Sequence, residues 1–299
     1  MPGNLQEYFE TLDQRPLERL LLLVSGMLLL WLFEGGIPLL TLRYKKSKLR
    51  HASVNFSFTV IHLIIHTGFA VLIVLLSDWT RLHHVGIIQW AGASTIPSII
   101  ITFLVLDFFG GWLVHITEHK VKWMWRFHVV HHADNSVDVT TGLRHHPVES
   151  VLRGVFFLAG VIVAGAPMYA VMIFQTLLVL ATQFTHANIS LPLKHDKWLS
   201  FVLVSPNMHK VHHHYKQPYT DSNYGAVLSV WDRLLGTFMQ LAPGKIKYGL
   251  DRYYPNEKDE DFRELLKRPF NANLFVDDTM QVPSSSKVVG NTSSSIHLK

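Results

Sequence analysis

From Phe56 to Leu76 the chain runs without one formally charged side chain. About 20 apolar residues is the length a helix needs to cross the hydrocarbon core of a bilayer. Lipid offers the backbone no hydrogen bonds, so such a run must satisfy its own within a helix. Composition points the same way. Hydrophobic residues make up 48% of the 299 and charged ones 16%, with a mean hydropathy of +0.20. An ordinary soluble domain carries roughly 25% charged residues. The fold class expected is therefore all-α, an integral-membrane helical bundle of about three spans plus a helical hairpin.

A first span is expected from about Leu17 to Leu42, with Glu34 inside it. It should stay in the protein, because the polar, acidic residues before it lack a basic leader and a small-residue cleavage site. Arg43, Lys45, Lys46, Lys48 and Arg50 follow, which places that loop on the cytoplasmic side. The run from Phe56 to Leu76 is the second span. A third begins near Pro97 and returns near His115, where Lys120, Lys122 and Arg126 again mark the cytoplasmic face. The apolar stretch from Val151 to about Gln183 would extend about 50 Å as one helix, against a ~30 Å hydrocarbon core. "AGAP" at 164–167 interrupts it, so two short helices forming a hairpin are expected. A hairpin returns the chain to the side it left. Residues 1–270 should form one membrane domain with a helix in "EKDEDFRELLKR", and 271–299 a disordered polar tail. No phosphate-binding glycine loop, dinucleotide fingerprint or basic patch suited to nucleic acid is visible.

Nineteen histidines are many for this length, and there are no cysteines. Any metal must then be held by nitrogen or oxygen. "HITEH" gives His115 and His119; "HVVHH" gives His128, His131 and His132; "HKVHH" gives His209, His212 and His213. Spacings of i, i+3 and i+4 put the members of a cluster on one side of a helix. Neutral imidazole suits iron, zinc, copper and nickel. Eight imidazoles exceed what one ion can use, so two ions are expected. His146, before Pro147 and Glu149, and His186, at the hairpin exit, are further candidate ligands. His145 and His214 are expected to be structural or solvent-facing, and His62 and His66 to make a polar contact between helices. His51, His83, His84, His195 and His297 are expected at the surface. Asp107 and Glu149 are the candidate catalytic carboxylates, acting by orienting ligand imidazoles. Glu118 and Glu149 could do likewise or simply pair with Arg126 and Arg144, and Asp232 could hold an imidazole.

Taken together, His-x-x-x-His at 115–119, His-x-x-His-His at 128–132, "RHHPVE" at 144–149, His-x-x-His-His at 209–213, "NYG" at 223–225 and "WDRLLGTF" at 231–238 resemble the fatty acid hydroxylase/sterol desaturase superfamily. The resemblance spans about Asp107 to Phe238, and "WRFHVVHH" with "VTTGLRHHPVE" is nearest to the alkylglycerol monooxygenase-like branch. It implies a centre of two non-haem iron ions that activates O2 and acts on a C–H bond of a fatty acyl, sterol or ether lipid. The implied ligands are the eight clustered histidines, with His146 and His186 as additional candidates. No second histidine follows His186 within a turn, where some relatives have a pair. No flavin or cytochrome domain is visible, so electrons would come from a separate protein or a small reductant. The implied home is a bacterial inner membrane or an endoplasmic reticulum, with the metal site facing the cytoplasm. Two other readings compete: a histidine-lined metal transporter, and a metalloprotein without redox chemistry. Ligands near mid-bilayer would favour the transporter, whereas these clusters sit at the ends of spans.

Overall fold

The computed structural model describes residues 15–250 and 260–271. The tail expected to be disordered therefore lies, from residue 272 on, outside the described residues, as does His297. Among the described residues the protein is helical, with three isolated β-bridges in place of any sheet. Five segments are long and apolar enough to cross a membrane: Pro16–Gly36, Lys48–Ala91, Thr95–Lys120, Pro147–Ala164 and Met168–His186.

Helix α1 (Pro16–Gly36) stops short of the expected Leu42. Pro38 can neither donate a backbone hydrogen bond nor tolerate a helical residue before it. The chain beyond instead bonds to the hairpin exit, where Asn188 Oδ1 accepts from Leu40 N–H and its carbonyl from Leu39 N–H. Helix α2 (Lys48–Leu82) runs well past both expected ends of the second span. No proline interrupts it and the lone Gly68 is carried within it, while Ser47 caps its start by accepting from Arg50 N–H. At ~1.5 Å per residue it is about 52 Å long, so its first turns project beyond a single bilayer core. Those turns carry His51, which is buried at 1% exposure rather than at the surface. Its Nε2 lies 3.3 Å from Asp134 Oδ2, so a buried carboxylate accounts for it.

After the short α3 (Ile87–Ala91), helix α4 (Thr95–Asp107) passes through a π-helical turn at Phe108–Leu113 into α5 (Val114–Lys120). Helix α6 (Lys122–His132) follows. The expected hairpin is present as α7 (Pro147–Ala164) and α8 (Met168–His186). Ile73, Leu106, Phe157, Val161 and Phe174 form the core where α2, α4, α7 and α8 meet. Outward-facing Leu32 and Ile64 stay 73% and 74% exposed, as a lipid-facing surface requires. The short helices α9 (Leu193–Leu199), α10 (Pro206–His212), α11 (Val230–Leu234) and α12 (Phe262–Lys267) follow. Helix α12 occupies part of the expected helix at 257–268, whose first residues are outside the described set. Its Leu265 packs on Val54, Phe58 and Val130.

The hairpin turn is locked against the end of α2 by two glycines. Gly86 (φ +101°) and Gly165 (φ +65°) approach so closely that a Cβ on Gly86 would lie 2.3 Å from Gly165 N. Gly86→Ala is expected to destabilise by about 3 kcal/mol or more, because an unfavourable φ of about 1–3 kcal/mol adds to a backbone clash. Gly236→Ala, at φ +73° with nothing within 4 Å, should cost less. Thermal unfolding in detergent compares the two.

Candidate metal centre

One end of the bundle gathers nine histidines into two adjacent groups. His115, His119, His128, His132 and His212 form one; His131, His186, His209 and His213 form the other. Within each, one nitrogen per ring lies within 4.8 Å of all the rest. Helices α5 and α6 supply four of the five, while α8 supplies His186, α10 and its C-cap supply His209 and His213, and α6 supplies His131. Each triplet divides. His128 and His132 of α6 join the first group and His131 the second; the second triplet sends His209 and His213 to the second and His212 to the first.

The ring orientations are fixed from behind. His115 Nδ1–H donates to Tyr224 O at 2.9 Å, His131 to Arg144 O at 3.2 Å, His186 to Thr182 O at 2.8 Å and His212 to Ser222 O at 2.7 Å. His128 donates to Glu149 Oε1 at 2.8 Å and His119 to Asp221 Oδ1 at 3.2 Å. A carbonyl or carboxylate can only accept, so Nδ1 carries the proton in all six and Nε2 is left with a lone pair. The Nε2 atoms then meet. His115 and His128 approach to 3.2 Å, His131 and His186 to 3.2 Å, and His209 and His186 to 2.9 Å. The Nε2 atoms of His119 and His212 are buried without a partner. The lone pairs that face one another at His115–His128 and His131–His186 cannot bond, and a cation between them resolves both the contacts and the missing partners. The donor set, all imidazole, fits a transition metal.

Burial holds His128 down to about 4 and His212 to about 3, and pushes His131, His132, His209 and His213 well below the ordinary imidazole value. All six are neutral at pH 7, the form that can ligate. Between His209 and His212, the fully buried Lys210 donates from Nζ to the carbonyls of Thr185 and His186, closing the end of α8. Burial pushes its amine down to about 7, against the raising influence of Glu34, Asp138 and Asp134.

Several candidates stand elsewhere. His146 is in neither group. Its Nδ1 accepts from Val148 N–H and its Nε2–H donates to Leu266 O, so it caps α7 with both nitrogens occupied. Asp107 is brought to no imidazole. Its carboxylate accepts from Val227 N–H, Leu228 N–H and Trp231 Nε1–H, which consumes its capacity on the 227–231 segment. Asp232 likewise accepts from the backbone N–H of Tyr224 and Gly225. It thereby fixes the carbonyl that orients His115. Glu149 does touch an imidazole, and its Oε1 also accepts from His145 Nδ1–H at 2.7 Å and Arg153 Nε–H at 3.1 Å. Glu118 takes the other face of Arg153 at 2.5 Å. His145 stacks on His131 with ring centroids 4.4 Å apart. His62 donates to the carbonyl of His145, which lies in the loop before α7, so its contact is from helix to loop rather than the expected one between helices. His214 is buried, with Nδ1 accepting from Lys247 N–H.

Sequence reasoning missed Arg153, Lys210 and Asp221. Arg153 lies one turn after Glu149, an i, i+4 ion-pair spacing that was available to read. Asp221 precedes the "NYG" segment by two residues. Lys210 carried no such signal: a lysine between ligand histidines looks solvent-facing until α8 is seen to end on it.

A cavity of about 680 Å³ opens beside the second group, touching His115, His131, His186 and His209. From there it runs between α2, α7 and α8 along Leu63, Phe69, Phe157 and Leu178 to Arg19 and Gln175.

The described residues thus form a helical bundle with five membrane-length segments that buries two converging imidazole groups at the end of a largely apolar cavity. Residues 99–237, a little under half of the chain, match the family model for fatty acid hydroxylase. The chain is 34% identical over 152 residues to an alkylglycerol monooxygenase of Xenopus tropicalis and 32% over 149 residues to that of Homo sapiens, each match covering 50% of this chain and 32% of the relative. It is 26% identical over 149 residues to the ornithine lipid hydroxylase OlsE of Rhizobium tropici, covering 50% of this chain and 44% of the relative. The chain thus spans about a third to under a half of the length of these relatives. No solved structure matches.

Proposed function

We propose that the protein is an O2-dependent oxidoreductase of membrane lipids, a hydroxylase or monooxygenase acting at a C–H bond. The observation that carries this reading is the convergence of imidazole lone pairs, in two adjacent groups, at the end of a lipid-sized apolar cavity. The relatives named for alkylglycerol and ornithine lipid oxidation support the same substrate class. One iron ion would be held by His115, His119, His128, His132 and His212, and a second by His131, His186, His209 and His213. Bound iron would supply the redox chemistry that lets O2 attack an unreactive C–H bond.

The chain's own residues do the rest. Leu63, Phe69, Phe157 and Leu178 exclude water and align an alkyl chain with the imidazoles. The carbonyls behind His115, His131, His186 and His212, and Glu149 behind His128, hold each ring's proton on Nδ1. Hydroxylation takes up two electrons and two protons per O2, one oxygen entering the lipid and one leaving as water. A separate donor protein or small reductant must supply the electrons. Arg43, Lys45, Lys46 and Lys48 would place this end of the bundle at the cytoplasmic face.

Lipidomics of cells expressing the wild type beside a His131→Ala, His212→Ala double variant tests the reading. A lipid that gains oxygen only in the wild type is the expected result. Iron in the purified wild type should fall at least roughly tenfold in the variant, since each group loses a ligand. If no lipid changes, or the purified wild type holds no iron, the proposal fails.

A further inference from the structure

Two arginines line the cavity, and they differ in one respect. Arg153, at the histidine end, is matched by Glu118 and Glu149. Arg19, at the far end, faces no carboxylate among the described residues. Among the described residues its side chain makes one hydrogen bond, from Nη2–H to Gln175 Oε1 at 3.4 Å, and its Nε is buried without a partner. It lies in the first turn of the first apolar span, and a guanidinium there that lines a largely apolar cavity with a buried donor left unpaired marks a candidate anion site.

We infer that the cavity takes a single-chain lipid anion whose carboxylate or phosphate is gripped by Arg19, so that oxidation falls on a carbon remote from the charged end. This rests on the reading of the histidine groups as the oxidising centre and adds where the substrate's head lies. The guanidinium is a planar fork suited to an anion with two oxygens, and Nε is one tine of that fork. Gln175 has an amide N–H₂ free to donate beside it while its Oε1 holds Arg19 in place. On α8, residues 175 and 186 are separated by about 16 Å at ~1.5 Å per residue. An anion seated at Arg19 therefore leaves a long stretch of chain before the imidazoles, and the lining along that stretch is mostly apolar. His62 does not compete for the head, because its Nε2 is committed to the His145 carbonyl. A lipid carrying its only charge near the reacting carbon would instead leave Arg19 facing hydrocarbon.

The test measures binding to the detergent-solubilised full chain of tetradecanoate, tetradecyl phosphate, tetradecanol and inorganic phosphate. Both anionic chains should bind at least roughly tenfold more tightly than the alcohol, and inorganic phosphate should not displace them. Arg19→Gln should bring the anions to the alcohol's affinity and leave the alcohol unchanged, while Arg19→Lys keeps part of the preference. Equal affinities in the wild type, an undiminished preference in Arg19→Gln, or displacement by inorganic phosphate alone would overturn the inference. Should Arg19→Gln lose alcohol binding too, the same ratio in Gln175→Leu decides, a weakened preference supporting the inference and an unchanged one sinking it. Binding needs neither metal nor O2, so this outcome is independent of whether lipids are oxidised in cells.

Discussion

Glu149→Gln is expected to strip the protein of metal and of stability together. The Glu149 carboxylate is fully buried, and one oxygen accepts from His128, His145 and Arg153 at once. An amide keeps the shape but cannot balance Arg153, which is left with Glu118 alone. Breaking a buried ion pair by removing one partner costs about 3–5 kcal/mol. The substitution also weakens the acceptor that holds the proton on His128 Nδ1, an effect that costs metal sites about 10–100-fold in affinity or activity. Thermal unfolding and iron content, measured on the same preparation, check both halves. Iron retained at the wild-type level would confine Glu149 to a structural role, whatever happens to the melting temperature.

Asp107→Ala should act at a greater distance. Two buried backbone N–H groups, those of Val227 and Leu228, and the half-buried Trp231 ring N–H lose their acceptor. At about 1–3 kcal/mol for each buried unsatisfied donor, the expected loss is about 2 kcal/mol or more. The consequence passes to the metal centre because residues 222–232 supply the carbonyls behind His115 and His212. Gly111 shows how tight the junction is: a Cβ there would lie 2.9 Å from Ala226 Cβ. Asp107→Asn, which retains one accepting oxygen, should lose less stability and less iron than alanine. Equal iron in all three proteins would mean that the segment keeps its place without this clamp.

The membrane architecture was legible in the sequence because lipid imposes length and charge rules that each span obeys separately. The glycine and proline of "AGAP" foretold the hairpin, and the histidine spacings foretold which rings would meet. How they sort into two groups was not legible. In each triplet the i, i+4 pair shares a group and the i+3 member goes to the other, since residues on a helix are offset by about 100° each. That offset decides nothing until the partner helix is in position. The carboxylates were harder still. Asp107 and Glu149 look alike in the sequence, each near a cluster, yet one faces backbone N–H groups and the other a ring. His146 was taken for a ligand candidate from the company it keeps, but Pro147 starts a helix there and the imidazole serves as its cap.

The crossing of the two triplets has a consequence for loading. Neither α6 nor α10 belongs to one ion, so the first ion to arrive must draw both helices into place and bears the ordering cost for the second. Metal uptake should therefore follow one steep curve rather than two separable steps, and a half-filled protein should be scarce at every point along it.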